Sequence, residues 1–426
     1  MTTHPTLVIG AGPVGLAAAT HLHARGLPVL LAEAGPRAAT HVRAWGHVRL
    51  FSPWSEVLDP VAVELLRSTG WVAPDPGATP DGREWADDYL EPLAAALATA
   101  GVDVSLDTRV VGVARRGRDL VVDDGRDTEP FTALLDGPDG VRRVVVAAVV
   151  DASGTFATPN PLGADGLPAL GEAEHAGAIA YGVPDLADPA VRALHAGRHT
   201  VVAGTGASAQ TTLVGLAALA DEVPGTRVTW LVRRAAVGDA FGGGAADQLV
   251  ERGALGRRAR AAAEGPHVTT LVGFRVAEVA PGPGGRLRVL ADDGRAVEGV
   301  DRVVTVTGYR PDRRLLAEVR LDLDPALEAP ARLAPLIDPN VHSCGTVHPH
   351  GAAELAHPET GVFVVGAKSY GRAPTFLALT GYEQARSVAA HLAGDPEAAA
   401  RVVLVLPETG VCGGAGLFEA AAAAPG

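Results

Sequence analysis

Two short, largely apolar runs set the plan of this chain. Leu7, Val8 and Ile9 run into GAGPVG at residues 10–15, and His199 to Ala203 runs into GTGASA at residues 204–209. An apolar run bounded by glycine reads as a strand buried on both faces, and the helical pattern behind each makes a strand-turn-helix unit of a parallel sheet. A second apolar strand closes each unit, Val29 to Ala32 in the first and Val228 to Val232 in the second. Between and after them the pattern predicts a helix over Trp85 to Ala100 and strands over Val102 to Leu106, Val110 to Ala114, Leu120 to Asp123 and Arg143 to Asp151. Strands Arg302 to Val306 and Gly361 to Gly366 follow, then a helix Pro374 to Leu392 stopped by Gly394. The whole predicts an α/β fold of two Rossmann-like, three-layer domains, one inserted into the other. The Pro- and Gly-bearing loop Pro159 to Gly171 marks the way out and TGYRPD at 307–312 the way back. The expected division is 1–160 and 301–400 for the first domain, 161–300 for the second, and 401–426 as a C-terminal extension.

The glycines carry chemistry. Gly10 permits the tight turn, Gly12 lets the backbone approach a pyrophosphate, and Gly15 lets the helix pack on the sheet. The helix N-terminus at Pro13 and Val14 attracts phosphate charge. Glu33, 18 residues after Gly15, suits a ribose hydroxyl pair and repels a 2′-phosphate. In the second unit Gly204 and Gly206 make the turn, Ser208 opens the helix and Ala209 takes the third small position. Its strand ends in Arg233 and Arg234, whose guanidinium groups suit a 2′-phosphate and favour NADPH over NADH. The other reading leaves one or both as solvated strand-end charges.

Composition narrows the picture. The chain has 426 residues, 47 % hydrophobic and 20 % charged, which is ordinary for two or three globular domains. A net charge of −13 disfavours nucleic acid and anionic membranes as partners. No apolar run reaches a membrane-spanning length and no secretory pattern opens the chain, so a cytoplasmic protein is expected. Lys368 is the sole lysine, and the only cysteines are Cys344 and Cys412, with no CxxC. A neighbouring dithiol for redox work is therefore missing from the sequence.

DASG at 151–154 with Pro159 and Pro161, GTGASA and TGYRPD stand in the order and approximate spacing of two-dinucleotide flavoproteins. Over roughly residues 5–395 the chain most resembles class B flavin-containing monooxygenases and their relatives. The resemblance implies FAD on the first unit, at Gly10, Gly12, Pro13, Val14, Gly15 and Glu33, with Trp45, Val110, Gly366, Lys368 and Thr375 around it. It implies NADPH on the second, at Gly204, Gly206, Ser208, Ala209, Arg233 and Arg234. NADPH would reduce FAD by hydride transfer, and the reduced flavin would activate oxygen to oxygenate a small substrate. A reductase without oxygenation, a flavin-binding redox sensor and a scaffold that has lost FAD are the other readings.

Several segments depart from that family. Its phenylalanine-glycine-histidine fingerprint is missing, and GEAEHAGAIAYGVPD at 171–185 stands there, with His175 as a loop histidine or a remnant. Its Gly-Asp pair is replaced by GAKSYG at 366–371, which brings Lys368 beside the cofactor in expectation. The helix expected from Pro374 and Thr375 would aim its dipole at the flavin. AWGHVRLFSPW at 44–54 gathers Trp45, His47, Arg49, Phe51 and Trp54, as a substrate wall or as core. HSCGTVHPHGAAELAH at 342–357 gathers Cys344, His348, His350, Glu354 and His357, as loop packing, substrate pocket or metal ligands, although the spacing matches no zinc frame and no metal is expected. Arg49, Cys344, His348 and Lys368 are the candidate catalytic groups. GAKSYGRAPTFLALTGYEQARS also resembles flavoproteins found beside arsenic-resistance genes. That resemblance implies an arsenical substrate, with Cys344 and Cys412 meeting near the flavin. The oligomeric state is left open, a homodimer included.

Overall fold

The computed structural model describes residues 4–242, 247, 249–341, 349–373 and 376–404. The chain divides into two compact units, one up to Thr158 and again from Arg310, the other Pro159–Tyr309.

The first unit is built on a parallel sheet in the order Val362–Val364, Ala148–Asp151, Thr6–Ile9, Val29–Ala32, Asp103–Ser105. Every residue of its three central strands is buried, as a sheet covered on both sides requires. Alternate side chains serve two cores. Val8, Leu31 and Val150 pack under helices, including Pro13–Ala24 and Ala378–Leu392. Leu7, Leu30 and Val149 pack on a second, antiparallel sheet of Arg109–Arg115, Phe131–Gly137 and Gly140–Val146. Helices, parallel sheet and antiparallel sheet make three layers.

The second unit repeats this design. Its parallel sheet runs Val268–Val272, Arg227–Val232, His199–Ala203, Arg302–Thr305, Ile179–Tyr181. Val202, Trp230 and Val304 face helices, and Val201, Leu231 and Val303 face the antiparallel strands Val276–Pro281, Leu287–Ala291 and Ala296–Val300. The structure therefore carries the expected α/β fold of two Rossmann-like units, one inserted in the other. The inserted unit extends past the expected end at Val300, because Arg302–Thr305 pairs with His199–Ala203 inside its sheet.

Other elements differ from expectation. Leu120 to Asp123 is turn, not strand, since arginine side chains take its carbonyls: Arg320 donates to Leu120 at 2.9 Å and Arg126 to Val122 at 3.3 Å. Phe131–Gly137 is a strand that the pattern left unassigned. Arg143 to Asp151 divides at Ala147 into strands of two different sheets. The helix over Trp85 to Ala100 begins earlier, at Gly82, where Asp81 and Glu84 form a capping box, and widens into a π-turn at Ala86–Leu90. The last long helix starts at Ala378 instead of Pro374.

Candidate functional site

The two fingerprints fold into the same local geometry. Gly10 has φ +95° and Gly204 φ +131°, the left-handed side of the map that favours glycine. Each turn presses on the exit of a neighbouring strand: a Cβ on Gly10 would lie 3.0 Å from the Ala152 carbonyl, and one on Gly204 2.3 Å from that of Val306. Ala152 and Ser153 of DASG thus form the far wall of the first turn, and Val306, just before TGY, that of the second. Gly12 and Gly206 are then the N-caps of Pro13–Ala24 and Ala207–Glu222, with φ/ψ of −80°/−175° and −78°/−176°. Neither helix start has a side-chain cap or an acid in its first turn, and a Cβ on either cap glycine would meet nothing within 4 Å. These are open, uncapped positive helix ends, which suit a phosphate group. Gly15 serves packing, since a Cβ there would sit 1.9 Å from the Gly10 carbonyl. Ala209, in the matching place, is fully buried. Ser208 is exposed in the first helical turn.

The charges that follow are of opposite sign. Glu33 is half-buried, and its two oxygens accept from the backbone N–H of Ala11 at 2.7 Å and of Gly35 at 2.8 Å. This locks the carboxylate between the glycine turn and the strand end, with a second lone pair left on each oxygen. Arg233 is exposed and donates to the Ala164 carbonyl at 2.9 Å, and Arg234 is half-buried. The residues present therefore fit a dinucleotide on each unit.

Around the first unit the structure redistributes the expected residues. Lys368 is 1 % exposed, its ammonium donating to Asp151 Oδ2 at 2.7 Å and to Ser153 Oγ at 2.9 Å. The expected approach of this lysine to flavin, phosphate or substrate gives way to an internal ion pair. It ties the turn Gly366–Tyr370 to the end of the strand that carries DASG. Gly366, φ +72°, faces Val14, with its N–H donating to Gln384 Oε1 at 2.7 Å. Gln384 is fully buried and its amide also bonds Ser369 Oγ and His350 Nε2, at 2.9 and 2.8 Å. Arg313 reaches the Lys368 carbonyl at 3.5 Å, and its Nε and Nη1 are buried without a partner. Burial holds its pKa below the usual arginine value. Arg314 beside Asp312 holds that carboxyl down at about 2.

Val110 is buried in the core by its side chain. Trp45 is half-buried, its ring centroid 6.5 Å from that of Trp85, and lies against Gly82, where a Cβ would be 2.7 Å from the indole. Arg49 is exposed and tied to the Thr79 carbonyl, with its backbone bridged to Asp81. In the loop after residue 348, His350 packs on Tyr370 and Glu354 accepts from the Gly351 N–H at 2.8 Å. His357 accepts from the Asp322 N–H at 3.2 Å, and burial first, with Arg313 nearby, pushes its pKa down to about 4. Cys344, His348, Thr375 and Cys412 lie outside the described residues. Among the described residues no three His, Cys, Asp or Glu side chains gather as a metal site, and no helix is long and apolar enough to cross a membrane.

Asp151 and Arg313 were not legible as site neighbours in the sequence. The only signal was a lone lysine in an arginine-rich chain, which asks for a compact cation in a closed space. The segment 171–185 is likewise structural: Glu172, buried, accepts from the N–H of Leu162 at 3.0 Å and of Ala169 at 2.7 Å, and from the Tyr181 hydroxyl.

Fold and glycine turns together define a two-dinucleotide α/β oxidoreductase. The sequence matches the family model "Pyridine nucleotide-disulphide oxidoreductase" over residues 4–359, and the chain belongs to that family of FAD-dependent oxidoreductases. Among curated proteins none matches it. Of solved structures, it is similar to the bacillithiol disulfide reductase Bdr (YpdA) from Bacillus cereus, at 19 % identity and a TM-score of 0.65, covering 92 % of this chain and 99 % of that one. It is also similar to the FAD-bound cadaverine monooxygenase DfoA of desferrioxamine biosynthesis in Erwinia amylovora, at 14 % identity and a TM-score of 0.63, covering 97 % and 99 %. A variant flavin monooxygenase from Stenotrophomonas maltophilia matches at 19 % and 0.55, covering 92 % and 99 %. At such identities the likeness shows the fold.

Proposed function

We propose that this chain is an NADPH-dependent FAD oxidoreductase of the monooxygenase type. The observation that carries the two-nucleotide part is the pair of matching, uncapped helix ends, one followed by Glu33 and the other by Arg233 and Arg234. Gly10, Gly12, Pro13, Val14 and Gly15 would hold the FAD pyrophosphate by backbone N–H groups and dipole, and Glu33 its ribose. Trp45, Val110, Gly366 and Thr375 would border the rest, with Lys368 fixing the 366–370 turn by its bond to Asp151. Gly204, Gly206, Ser208 and Ala209 would hold NADPH, and the two arginines would select its 2′-phosphate. Bound FAD supplies two-electron acceptance from the nicotinamide and electron delivery to an acceptor.

The monooxygenase part rests on the resemblance of the motifs, with the cysteines in support. The sequence has no CxxC to serve as a dithiol relay, and DASG, GTGASA and TGYRPD resemble the flavin monooxygenases, so in this reading the electrons pass to oxygen and a small substrate, trivalent arsenicals among the candidates. A second reading, reduction without oxygenation, is favoured by the 171–185 segment, where the Glu172 knot stands in place of the oxygenase fingerprint. Measuring NADPH, oxygen and hydrogen peroxide together over a panel of soft nucleophiles separates them. Oxygenation requires oxygen uptake that exceeds peroxide release with one substrate. Peroxide equal to NADPH throughout, or turnover without oxygen, supports the reductase and defeats the monooxygenase.

A further inference from the structure

The second unit gathers arginines at the end of its parallel sheet opposite the Gly204 turn. Arg198 precedes the strand His199–Ala203, and Arg227 and Arg302 open the strands Arg227–Val232 and Arg302–Thr305 on either side of it. Five strand residues at about 3.3 Å each put this edge roughly 16 Å from the glycine turn, so a group bound here lies outside the fingerprint. A cavity of about 390 Å³ opens at this edge, with Glu174, His175, Arg198, Arg286 and Asp301 in its walls.

Two of the guanidinium groups converge. Gly299 has φ +66°, which favours glycine, and the point where its Cβ would stand is 3.4 Å from Arg227 Nη2 and 4.0 Å from Arg286 Nη1. Arg302 is held at the rim by the Gly177 carbonyl. Asp301 is the acid built into the cluster, one oxygen accepting from the His199 N–H at 2.8 Å and the other from Arg286 Nε at 3.2 Å. Glu174 is exposed, and Glu298 is taken by Arg288 at 2.8 Å. The side chains of Arg198 and Arg227 have no hydrogen-bond or ion-pair partner among the described residues. Four guanidinium groups, those of Arg198, Arg227, Arg286 and Arg302, against the carboxylates of Asp301 and Glu174 leave two positive charges, in a chain whose net charge is −13.

Buried histidines beside the cluster register the same field. Burial first, then Arg302 and Arg198, push His195 down to about 4, and Arg227 adds to burial in lowering His199. Like charges gathered without matching acids repel, and an oxyanion set between guanidinium groups replaces that repulsion with charge-assisted hydrogen bonds. We infer that this cavity binds a small dianion, a phosphate group or a dicarboxylate, held by Arg198, Arg227 and Arg286. Guanidinium suits the task, because its planar fork meets two oxygens at once and stays charged at any working pH.

Calorimetric titration of the full-length, FAD-loaded protein with inorganic phosphate and with succinate, at an ionic strength fixed by sodium chloride, tests the inference. Arg198→Ala and Arg227→Ala remove the proposed contacts, and Arg258→Ala removes the same charge from the exposed face of Val250–Glu264. The expected result is saturable binding of one probe or both, weakened about tenfold or more by each of the first two substitutions and unchanged by the third. Which probe binds tells phosphate from dicarboxylate. Without either anion, Arg198→Ala and Arg227→Ala should melt no lower than the wild type, since each relieves repulsion, and this confirms folding. No saturable binding of either probe, binding that neither cavity substitution weakens, or equal weakening by Arg258→Ala would overturn the assignment.

Discussion

At the scale of single residues, Glu33 and Lys368 act through bonds to backbone and neighbours. Glu33→Gln keeps one acceptor oxygen but leaves either the Ala11 or the Gly35 N–H facing an amide that cannot accept. An unsatisfied group of this kind costs about 1–3 kcal/mol, so FAD affinity should fall about tenfold or more in a fluorescence titration. Lys368→Met strands the buried Asp151 carboxylate, and breaking such a pair costs about 3–5 kcal/mol. Chemical denaturation should register that loss in the apo-protein as well, which separates an internal pair from a cofactor contact. Two histidines give the pH dependence. Burial lowers both His195 and His357 to about 4, so each is neutral when folded, whereas the unfolded chain takes up protons near 6.5. Their stability contribution is complete above about pH 6.5 and declines as pH falls from there towards 4. Melting at stepped pH should show this decline, reduced in His195→Asn; an unchanged slope would remove His195 from the account.

At the scale of elements, the two cap glycines are free of structural duty. Gly12 and Gly206 have extended φ/ψ that any residue adopts, with open space over each. Aspartate at either place should cap its helix, a gain of about 1 kcal/mol at most, yet put a carboxylate where a phosphate belongs. Gly12→Asp should therefore give a protein at least as heat-stable as the wild type when both are free of cofactor, but unable to retain FAD. Gly15→Ala should do the reverse and destabilise the fold, because its Cβ collides with the Gly10 carbonyl at 1.9 Å. The central parallel strands and both glycine turns were legible in the sequence because buried strands read as short, mostly apolar runs, whereas the outer strands Ile179–Tyr181 and Val268–Val272 of the second sheet were not assigned. The antiparallel sheets were less so: FTALLDG at 131–137 alternates only weakly, and LVVDD at 120–124 carries strand-forming residues that arginines from 126 and 320 hold in a turn. The pairing of Lys368 with Asp151 spans 217 positions, and no local pattern records it.

At the scale of the whole molecule, one design is used twice and then differentiated by charge. Both units stack helices, a five-stranded parallel sheet and a three-stranded antiparallel sheet, and both carry a glycine turn between a central strand and a long helix. The measurement that bears most directly on the central claim is anaerobic titration of the purified, FAD-containing protein with NADPH and with NADH, read as loss of flavin absorbance. We predict complete bleaching by about one equivalent of NADPH, slower bleaching by NADH, and loss of that preference when Arg233 and Arg234 are both changed to alanine. A protein that holds no FAD, or whose flavin neither nucleotide bleaches, would contradict the account.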